Sequence, residues 1–255
     1  MNRDIPIVSV VIPAFNAEKT LGYTLDSVLQ QTLEDFEIII VNDCSSDSTG
    51  KVANGYSERD GRIRVLNNAE NLGVAVSRRK GAEAARSDRI AFLDADDLWM
   101  PGKLEKQLKT SSEKNAGLVY TGSAFISENG EKLEWVLHVP EEIGFKELLK
   151  QNLISNSSVL IRREDYLRYS VTGDDIHEDY ACWLNYLRGE GTVAYGIDEP
   201  LLVYRLSRAS RSGNKLKSAA MNLRTYRSVG IKPLPSAYYM LCYAVNGVLK
   251  YRNLR

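Results

Sequence analysis

An α/β fold with a mostly parallel central sheet, flanked by helices, is the fold class that the sequence predicts. Residues 7–12 and 36–41 form runs that are apolar except for Ser9 and Glu37, which is typical of strands buried on both faces. The first run is followed by Leu21, Leu25 and Val28, which have helical spacing. Because strands and helices alternate with short connections, we expect right-handed crossovers within one sheet.

The remaining elements follow the same rhythm along the chain. In the first hundred residues, strands are predicted over 7–12, 36–41, 62–66 and 90–93, and helices over 17–31, 46–56 and 74–85. After Pro101 the order becomes less regular. It comprises helices over 103–114, 145–152 and 180–187, strands over 118–126, 158–162 and 192–205, and a hairpin turn over 127–132. We therefore predict one domain over residues 1–214, with halves near 1–100 and 101–214, and a helical extension over 215–255.

Composition excludes several classes of protein. Lysine plus arginine equals aspartate plus glutamate at 33 each, so no overall field favours nucleic acid. Cys44, Cys182 and Cys242 are widely separated and odd in number, which argues against a disulfide framework or a zinc site. No apolar run approaches the roughly 18–20 residues of a membrane span. We expect a cytoplasmic protein that is at most peripheral to the membrane.

Polar residues follow three of the predicted strands, at the edge of a parallel sheet where ligands bind. The segments are Pro13-Ala14-Phe15-Asn16, Asn42-Asp43 and Asp94-Ala95-Asp96-Asp97. Carboxylates placed this closely are costly unless a cation neutralises them, and oxygen ligands suit Mg²⁺ or Mn²⁺ together with a diphosphate. The alternative is that Asp97 caps the next helix and the other acids lie in a solvated turn.

Four ordered segments carry a resemblance to a known family. They are residues 8–16, residues 40–47, Asn71-Leu72-Gly73-Val74 with Arg78, and residues 92–97. Together they resemble the family 2 glycosyltransferases of the GT-A fold, which make bacterial capsule, O-antigen and related polysaccharides. The resemblance covers about residues 5–205. It implies inverting transfer from a nucleoside-diphosphate sugar, expected to be UDP-linked, to a saccharide or polyprenyl-linked acceptor, assisted by Mn²⁺ or Mg²⁺.

The resemblance also assigns roles in donor binding. The loop after the first strand and the acid after the second would cradle base and ribose, through Pro13, Ala14, Phe15, Asn16 and Asp43. Arg78 would help to position the nucleotide. Asp94 would contact the ribose and Asp96 would bind the metal, with Ala95 between them. Asn42 and Cys44 stand where the family usually has aspartate and glycine, which leaves the base preference open.

Glu178 and Asp179 precede a predicted helix and match the family's Glu-Asp motif, whose aspartate is the general base. The resemblance implies that Asp179 deprotonates the acceptor and that Glu178 orients it. An N-terminal helix cap explains the same residue types, and both roles can hold together.

Trp183 fits a position in the cleft and a position in the core equally well. The basic run Arg205, Arg208 and Arg211 fits a loop that folds over the diphosphate, or a solvated loop.

The C-terminal region is basic and ends in the apolar-aromatic stretch 238–245. It could contact an anionic membrane surface, the chain's own main domain, or a second copy in a homodimer.

Two functions other than sugar transfer are compatible with an α/β fold that binds a nucleotide. A nucleotidyltransferase usually has a glycine-rich phosphate loop after its first strand, where this chain has residues 13–16. A non-catalytic sugar-nucleotide-binding module would not need Asp179.

Overall fold

A computed structural model of the chain describes residues 5–173, 175–189, 191–207 and 215–252. In these residues the strands are β1 (Val8–Ala14), β2 (Phe36–Asn42), β3 (Ile63–Asn67), β4 (Arg89–Phe92), β5 (Leu98–Trp99), β6 (Leu118–Ile126), β7 (Lys132–Leu137), β8 (Glu142–Ile143), β9 (Leu160–Arg162) and β10 (Ala194–Arg205). The helices are α1 (Leu21–Leu29), α2 (Thr49–Arg59), α3 (Val74–Ala84), α4 (Lys103–Glu113), α5 (Phe145–Lys150), α6 (Arg163–Tyr169), α7 (Glu178–Leu187), α8 (Lys215–Ser228) and α9 (Pro233–Arg252). A 3₁₀ turn covers Asn156–Ser158.

The strands form one sheet in the order β3-β2-β1-β4-β9-β6-β10-β5. Pairings within the group β3, β2, β1 and β4 are parallel. Strand β9 runs antiparallel to both of its neighbours, and β10 is again parallel to β6. Strands β1 to β4, β6 and β10 therefore point the same way, which confirms the mostly parallel sheet. Strand β7 pairs antiparallel with β6, as the predicted hairpin requires.

Each face of the sheet carries its own apolar core. On one face, Val10 and Ile12 of β1 pack with Leu25 of α1 and with residues of α2 and α4. On the other face, Val11 packs with α3, with α5 to α7 and with Tyr226 of α8. Burial of β1 on both sides explains why its residues are apolar except for Ser9. A Cβ at Gly81 would collide with Val11, so glycine allows α3 to lie directly on β1.

Several elements depart from the predicted ones. Strands β5 and β8 have two residues each, too few for any periodicity, and α6 was not predicted. Helix α2 starts at Thr49 rather than near residue 46 because Asp47 holds the preceding turn. Its Oδ1 accepts from the Thr49 amide at 2.9 Å and its Oδ2 from the Glu18 amide at 3.1 Å. These bonds join the loops that follow β1 and β2.

The two C-terminal helices pack against the rest of the fold. Tyr226 of α8 is fully buried, and its hydroxyl donates to the Leu149 carbonyl at 2.7 Å. Tyr239 and Met240 of α9 pack on the same core. The predicted boundary at residue 214 stays a prediction. Among the described helices none is long and apolar enough to cross a membrane.

Candidate active site

A cleft of about 1070 Å³ opens at the carboxyl ends of β1, β4, β6 and β10. Its wall contains most of the residues predicted to form a site. They are Pro13, Phe15, Asn16, Arg78, Asp94, Ala95, Asp96, Glu178, Asp179 and Arg205. Three separate predictions, the first loop, the acidic segment and the Glu-Asp pair, therefore meet in one cavity.

The loop after β1 presents an exposed ring on a fixed backbone. The side chain of Phe15 is 50% exposed. Next to it, Asn16 has a φ of 49° and is held by the loop after β2, because its Oδ1 accepts from the Ser46 amide at 2.9 Å. In that second loop Cys44 has a φ of 58°. Glycine adopts this left-handed conformation without strain, which explains why the family 2 glycosyltransferases usually have glycine at the position of Cys44.

Asp43 and Ala14 are buried behind the residues that line the cleft. Their roles in donor binding stay predictions. Ala14 is 1% exposed and Asp43 3% exposed. Both carboxylate oxygens of Asp43 are engaged by the loop before α3. Its Oδ1 accepts from the Asn68 side chain at 2.7 Å and from a backbone amide, and its Oδ2 accepts from the Gly73 amide at 2.9 Å. Asp43 therefore shapes the loop that starts α3.

Arg78 connects the two halves of the cleft. Its side chain is 7% exposed, and it donates to Asp94 Oδ1 at 2.5 Å and to Glu178 Oε1 at 2.8 Å. With its amide oxygen facing the guanidinium, Asn156 accepts from Nε at 3.1 Å. Burial would lower the pKa of Arg78, but the carboxylates of Asp94 and Glu178 outweigh it and raise that pKa. A permanent cation thus joins the end of β4 to the start of α7.

The aspartates of the segment after β4 lie close together, and nearby cations do not fully neutralise their negative charge. Burial and then the neighbouring Asp94 raise the pKa of Asp96 to about 6. Burial and then Asp96 also raise the pKa of Asp97. Asp97 is 1% exposed and accepts from the Arg205 amide at 2.9 Å. The alternative of a solvated cap is therefore wrong, and Gly102 is the residue at the N-cap of α4.

These residues fit a divalent cation that shares its coordination with a ligand. Among the described residues, no group of three or more His, Cys, Asp or Glu side chains is placed to hold a metal. Asp94 is committed to Arg78, whereas Asp96 accepts no side-chain hydrogen bond from the described residues. Mg²⁺ typically uses one or two carboxylates together with substrate phosphates. A half-buried carboxylate beside another acid is such a donor.

The Glu-Asp pair stands in the first turn of α7, opposite the acidic segment. Asp179 Oδ1 accepts from the Tyr180 amide at 2.7 Å, while Glu178 is bound to Arg78. Helix α8 fixes this turn, because the His177 amide donates to Thr225 Oγ1 at 3.0 Å. Trp183, further along α7, is fully buried in the core. The structure therefore places Trp183 in the core, which is one of the two positions that the sequence left open.

Arg205, the last residue of β10, is tied to the acidic segment. Its Nε donates to the Asp96 carbonyl at 2.9 Å, and its Nη1 donates to the Glu128 carbonyl at 3.2 Å. It therefore lies in the cleft wall as an anchored cation. Arg208 and Arg211 lie outside the described residues.

Two parts of the cleft wall were missed by the sequence analysis. The rings of Phe125 and Trp135 stack across the β6–β7 hairpin with centroids 4.0 Å apart, and Tyr204 lies 5.8 Å from Phe125. The alternation of β6, which puts Ser123 and Phe125 on one face, could have indicated this wall. The second part consists of Ser218, Asn222 and Tyr243 from α8 and α9.

Comparison with known proteins shows the family to which the chain belongs. The sequence profile described as glycosyl transferase family 2 matches residues 9–172. The chain belongs to this family. It is 37% identical over 246 residues to the putative teichuronic acid biosynthesis glycosyltransferase TuaG of Bacillus subtilis, covering 96% of this chain and 97% of the relative. It is 32% identical over 246 residues to the Escherichia coli UDP-Glc:alpha-D-GlcNAc-diphosphoundecaprenol beta-1,3-glucosyltransferase WfgD, covering 96% and 95%.

Solved structures agree on the fold. Staphylococcus aureus TarS 1-349 in complex with UDP-GlcNAc superposes with a TM-score of 0.71 at 16% identity, over 91% of this chain and 69% of that one. The Pyrobaculum calidifontis mannosyltransferase PcManGT, solved with GDP-Man and Mn²⁺, gives 0.69 at 16% identity, over 93% and 69%. The family 2 enzyme described here thus has the GT-A fold. It is a glycosyltransferase rather than a nucleotidyltransferase or a non-catalytic module.

Proposed function

We propose that this glycosyltransferase moves a sugar from a UDP-sugar to a lipid-linked saccharide during bacterial cell-surface polysaccharide synthesis, with inversion. The observation that carries the proposal is the meeting of Phe15, Asp96 and Asp179 in one cleft. A ring for base stacking, a carboxylate for a cation and a second acid at the opposite wall are three groups that such a transfer uses. The relative WfgD, whose name states a UDP-Glc donor and a diphosphoundecaprenol-linked acceptor, supports the choice of substrates.

The donor would lie along the β1–β4 side of the cleft. The exposed ring of Phe15 offers a face for the base, and the rigid loops after β1 and β2 limit how the ribose can sit. Arg78 holds Asp94 in place for a ribose contact. Asp96 would hold Mn²⁺ or Mg²⁺, which when bound neutralises the diphosphate of the leaving group. Arg205, anchored beside Asp96, adds a fixed positive charge.

Asp179 would act as the general base. It would accept the proton of the acceptor hydroxyl while that oxygen attacks the anomeric carbon of the donor. The bond from that carbon to the diphosphate oxygen breaks on the opposite face, so the configuration inverts. Glu178, bound to the permanently charged Arg78, orients the start of α7, so that Asp179 is presented to the cleft. The aromatic wall of Phe125, Trp135 and Tyr204 suits a pyranose ring of the acceptor.

A two-step experiment tests this function. A thermal-shift screen of UDP-, GDP- and dTDP-sugars with Mn²⁺, Mg²⁺ or chelator should give the largest stabilisation with a UDP-sugar and a divalent cation. That donor should then label a polyprenyl-diphosphate sugar acceptor, read by chromatography and by NMR of the new anomeric centre. A stabilising nucleotide that yields no transfer to any lipid-linked or free saccharide would refute the proposal.

A further inference from the structure

Up to residue 246, helix α9 has one apolar face packed on the core and a second apolar face that is exposed. Its inner face includes Tyr239 and Met240, which contact the core. Its outer face carries four large apolar side chains at spacings of four, three and four residues, which place them on one side of the helix. These are Leu234, Tyr238, Leu241 and Val245, exposed by 86, 56, 65 and 50%. A row of this kind differs from scattered exposed apolar residues and marks an interaction surface.

The charge of the same region is strongly positive. Residues 200–255 contain eleven lysine or arginine residues and neither aspartate nor glutamate. Because the whole chain has no net charge, the first 199 residues are correspondingly acidic. Lys217, Arg224, Arg227 and Lys232 are exposed on α8 and at the start of α9. A surface that combines an apolar stripe with basic residues is complementary to an anionic lipid bilayer.

We propose that the outer face of α9 docks in the plane of an anionic phospholipid membrane. A second copy of the chain is the other occupant that could cover the stripe, but a symmetric dimer through this face would bring two strongly basic regions together. The stripe spans about three helical turns, enough to lie in the headgroup layer and too short to cross it.

Docking by α9 would bring the cleft to the lipid surface. Tyr243 of α9 and Ser218 and Asn222 of α8 line the cleft, so the helix that carries the stripe forms a cleft wall together with α8. An acceptor held in the bilayer by its lipid would then present its first sugars beside that wall. This second step rests on the proposed function, whereas membrane binding itself does not.

Co-sedimentation of the full chain with vesicles tests the docking. Binding should be strong to phosphatidylglycerol-containing vesicles and weak to pure phosphatidylcholine. The Leu234→Glu/Leu241→Glu variant should bind at least about ten-fold more weakly. The Ile5→Glu/Tyr23→Glu variant, which changes two exposed apolar residues elsewhere (63 and 65% exposed), should bind like the wild type. An Arg227→Glu/Lys232→Glu variant, which leaves the stripe intact, should lose the preference for phosphatidylglycerol.

Three results would overturn the proposal. They are wild-type binding that ignores phosphatidylglycerol, equal binding of the stripe and control variants, and a concentration-dependent dimer in light scattering that the stripe variant abolishes. Unchanged thermal unfolding of each variant shows that it is folded. Transfer to a short soluble acceptor should be unaffected by the stripe variant, while transfer to the vesicle-bound acceptor falls. If the wild type transfers to neither acceptor, the proposed function fails, and the vesicle data still decide the docking.

Discussion

The two ends of the parallel sheet contain buried acids in opposite electrostatic settings. At the amino end, Glu37 of β2 is fully buried and surrounded by donors: Ser9 Oγ at 2.7 Å, the Arg86 amide at 2.8 Å and Arg86 Nε at 2.9 Å. Arg64 adds a further contact at 3.2 Å. At the carboxyl end, Asp96 and Asp97 stand next to each other with few donors.

Their pKa values reflect this difference. Burial would raise the pKa of Glu37, but the hydrogen bonds from Ser9 and Arg86 outweigh it and lower that pKa. Burial and neighbouring acids instead raise the pKa of Asp96 to about 6 and raise that of Asp97. One Oδ of Asp97 is buried with no partner among the described residues.

The difference separates a structural acid from an acid that is available to a ligand. The fold supplies Glu37 with several hydrogen-bond donors, so Glu37 stabilises the junction of β1, β2 and α3. Asp96 lines the cleft and accepts no side-chain hydrogen bond from the described residues, which is favourable only if a ligand or cation completes its contacts. Substitutions at the carboxyl end should therefore lower transfer or cation-dependent donor binding. A substitution at the amino end should lower the free energy of unfolding.

The largest effect is expected from Asp179→Asn, which keeps the shape of the side chain and removes the base. Transfer should fall on the order of 10³-fold, while UDP-sugar binding and thermal unfolding stay unchanged. Single-turnover assays measure transfer, titration calorimetry measures UDP-sugar binding, and scanning calorimetry measures thermal unfolding. Glu58→Gln, on the exposed side of α2, is a matched control. Unchanged turnover of the Asp179 variant would refute its role as base.

Asp96→Asn should remove the effect of cations on donor binding. UDP should bind the wild type at least about ten-fold more tightly with Mn²⁺ than with chelator, and the variant should show no such difference. Without metal, the variant should be as stable as the wild type or more so, because a half-buried charge beside Asp94 is gone. Equal UDP affinity of the wild type with and without Mn²⁺, measured by calorimetry, would contradict the metal role.

Glu37→Gln should show the reverse pattern. The amide oxygen can still accept from Ser9 and from the Arg86 amide, but the amide NH2 cannot accept from the side chains of Arg86 and Arg64. Loss of hydrogen bonds to a charged partner costs about 2 kcal/mol of the free energy of unfolding. Urea unfolding at pH 7 measures this loss. Mn²⁺-dependent UDP binding by the folded variant should be unchanged, since Glu37 is at the far end of the sheet. A variant that keeps full stability would show that the amino-end network is not structural.

The amino end and the first half of the fold follow from local sequence patterns. Strands β1 and β2 were predicted because burial on both faces demands nearly continuous apolar runs. The polar residues after β1 placed the loop at residues 13–16, and those after the predicted strand 90–93 placed the acids at 94–96. The Arg78–Glu178 bond was not predictable in this way, because it joins positions 100 residues apart. Trp183 could not be assigned either, since an apolar helix position fits the core and a cleft equally.

The wall formed by Phe125 and Trp135 depends on hairpin register, which has a shift between Ala124 and Phe125. Strands β5 and β8 exist because β10 offers them hydrogen-bonding partners, and two residues carry no pattern of their own. Most of the missing information was thus about contacts between distant segments. Family resemblance supplied the role of Asp179, which spacing alone left open.

The smallest predicted effect is a change of stability with pH, and its sign differs between the two ends. For Asp96 the folded pKa is raised to about 6, so the folded state binds more protons than the unfolded state between about pH 4 and 6. Metal-free protein should therefore gain about 1 kcal/mol as the pH falls from 7 to 5, after allowing for solvent screening.

Glu37 acts in the opposite direction, because its lowered folded pKa gives stability above about pH 4.5 that is lost as the pH falls further through the folded pKa. Stability measured in chelator by urea unfolding should thus have a maximum near pH 5. Asp96→Asn should flatten the neutral side of that maximum, and Glu37→Gln should flatten the acid side. A wild-type curve that rises steadily from pH 5 to 7 in chelator would show that the cleft acids are compensated within the protein, and the contrast between the two ends would not hold.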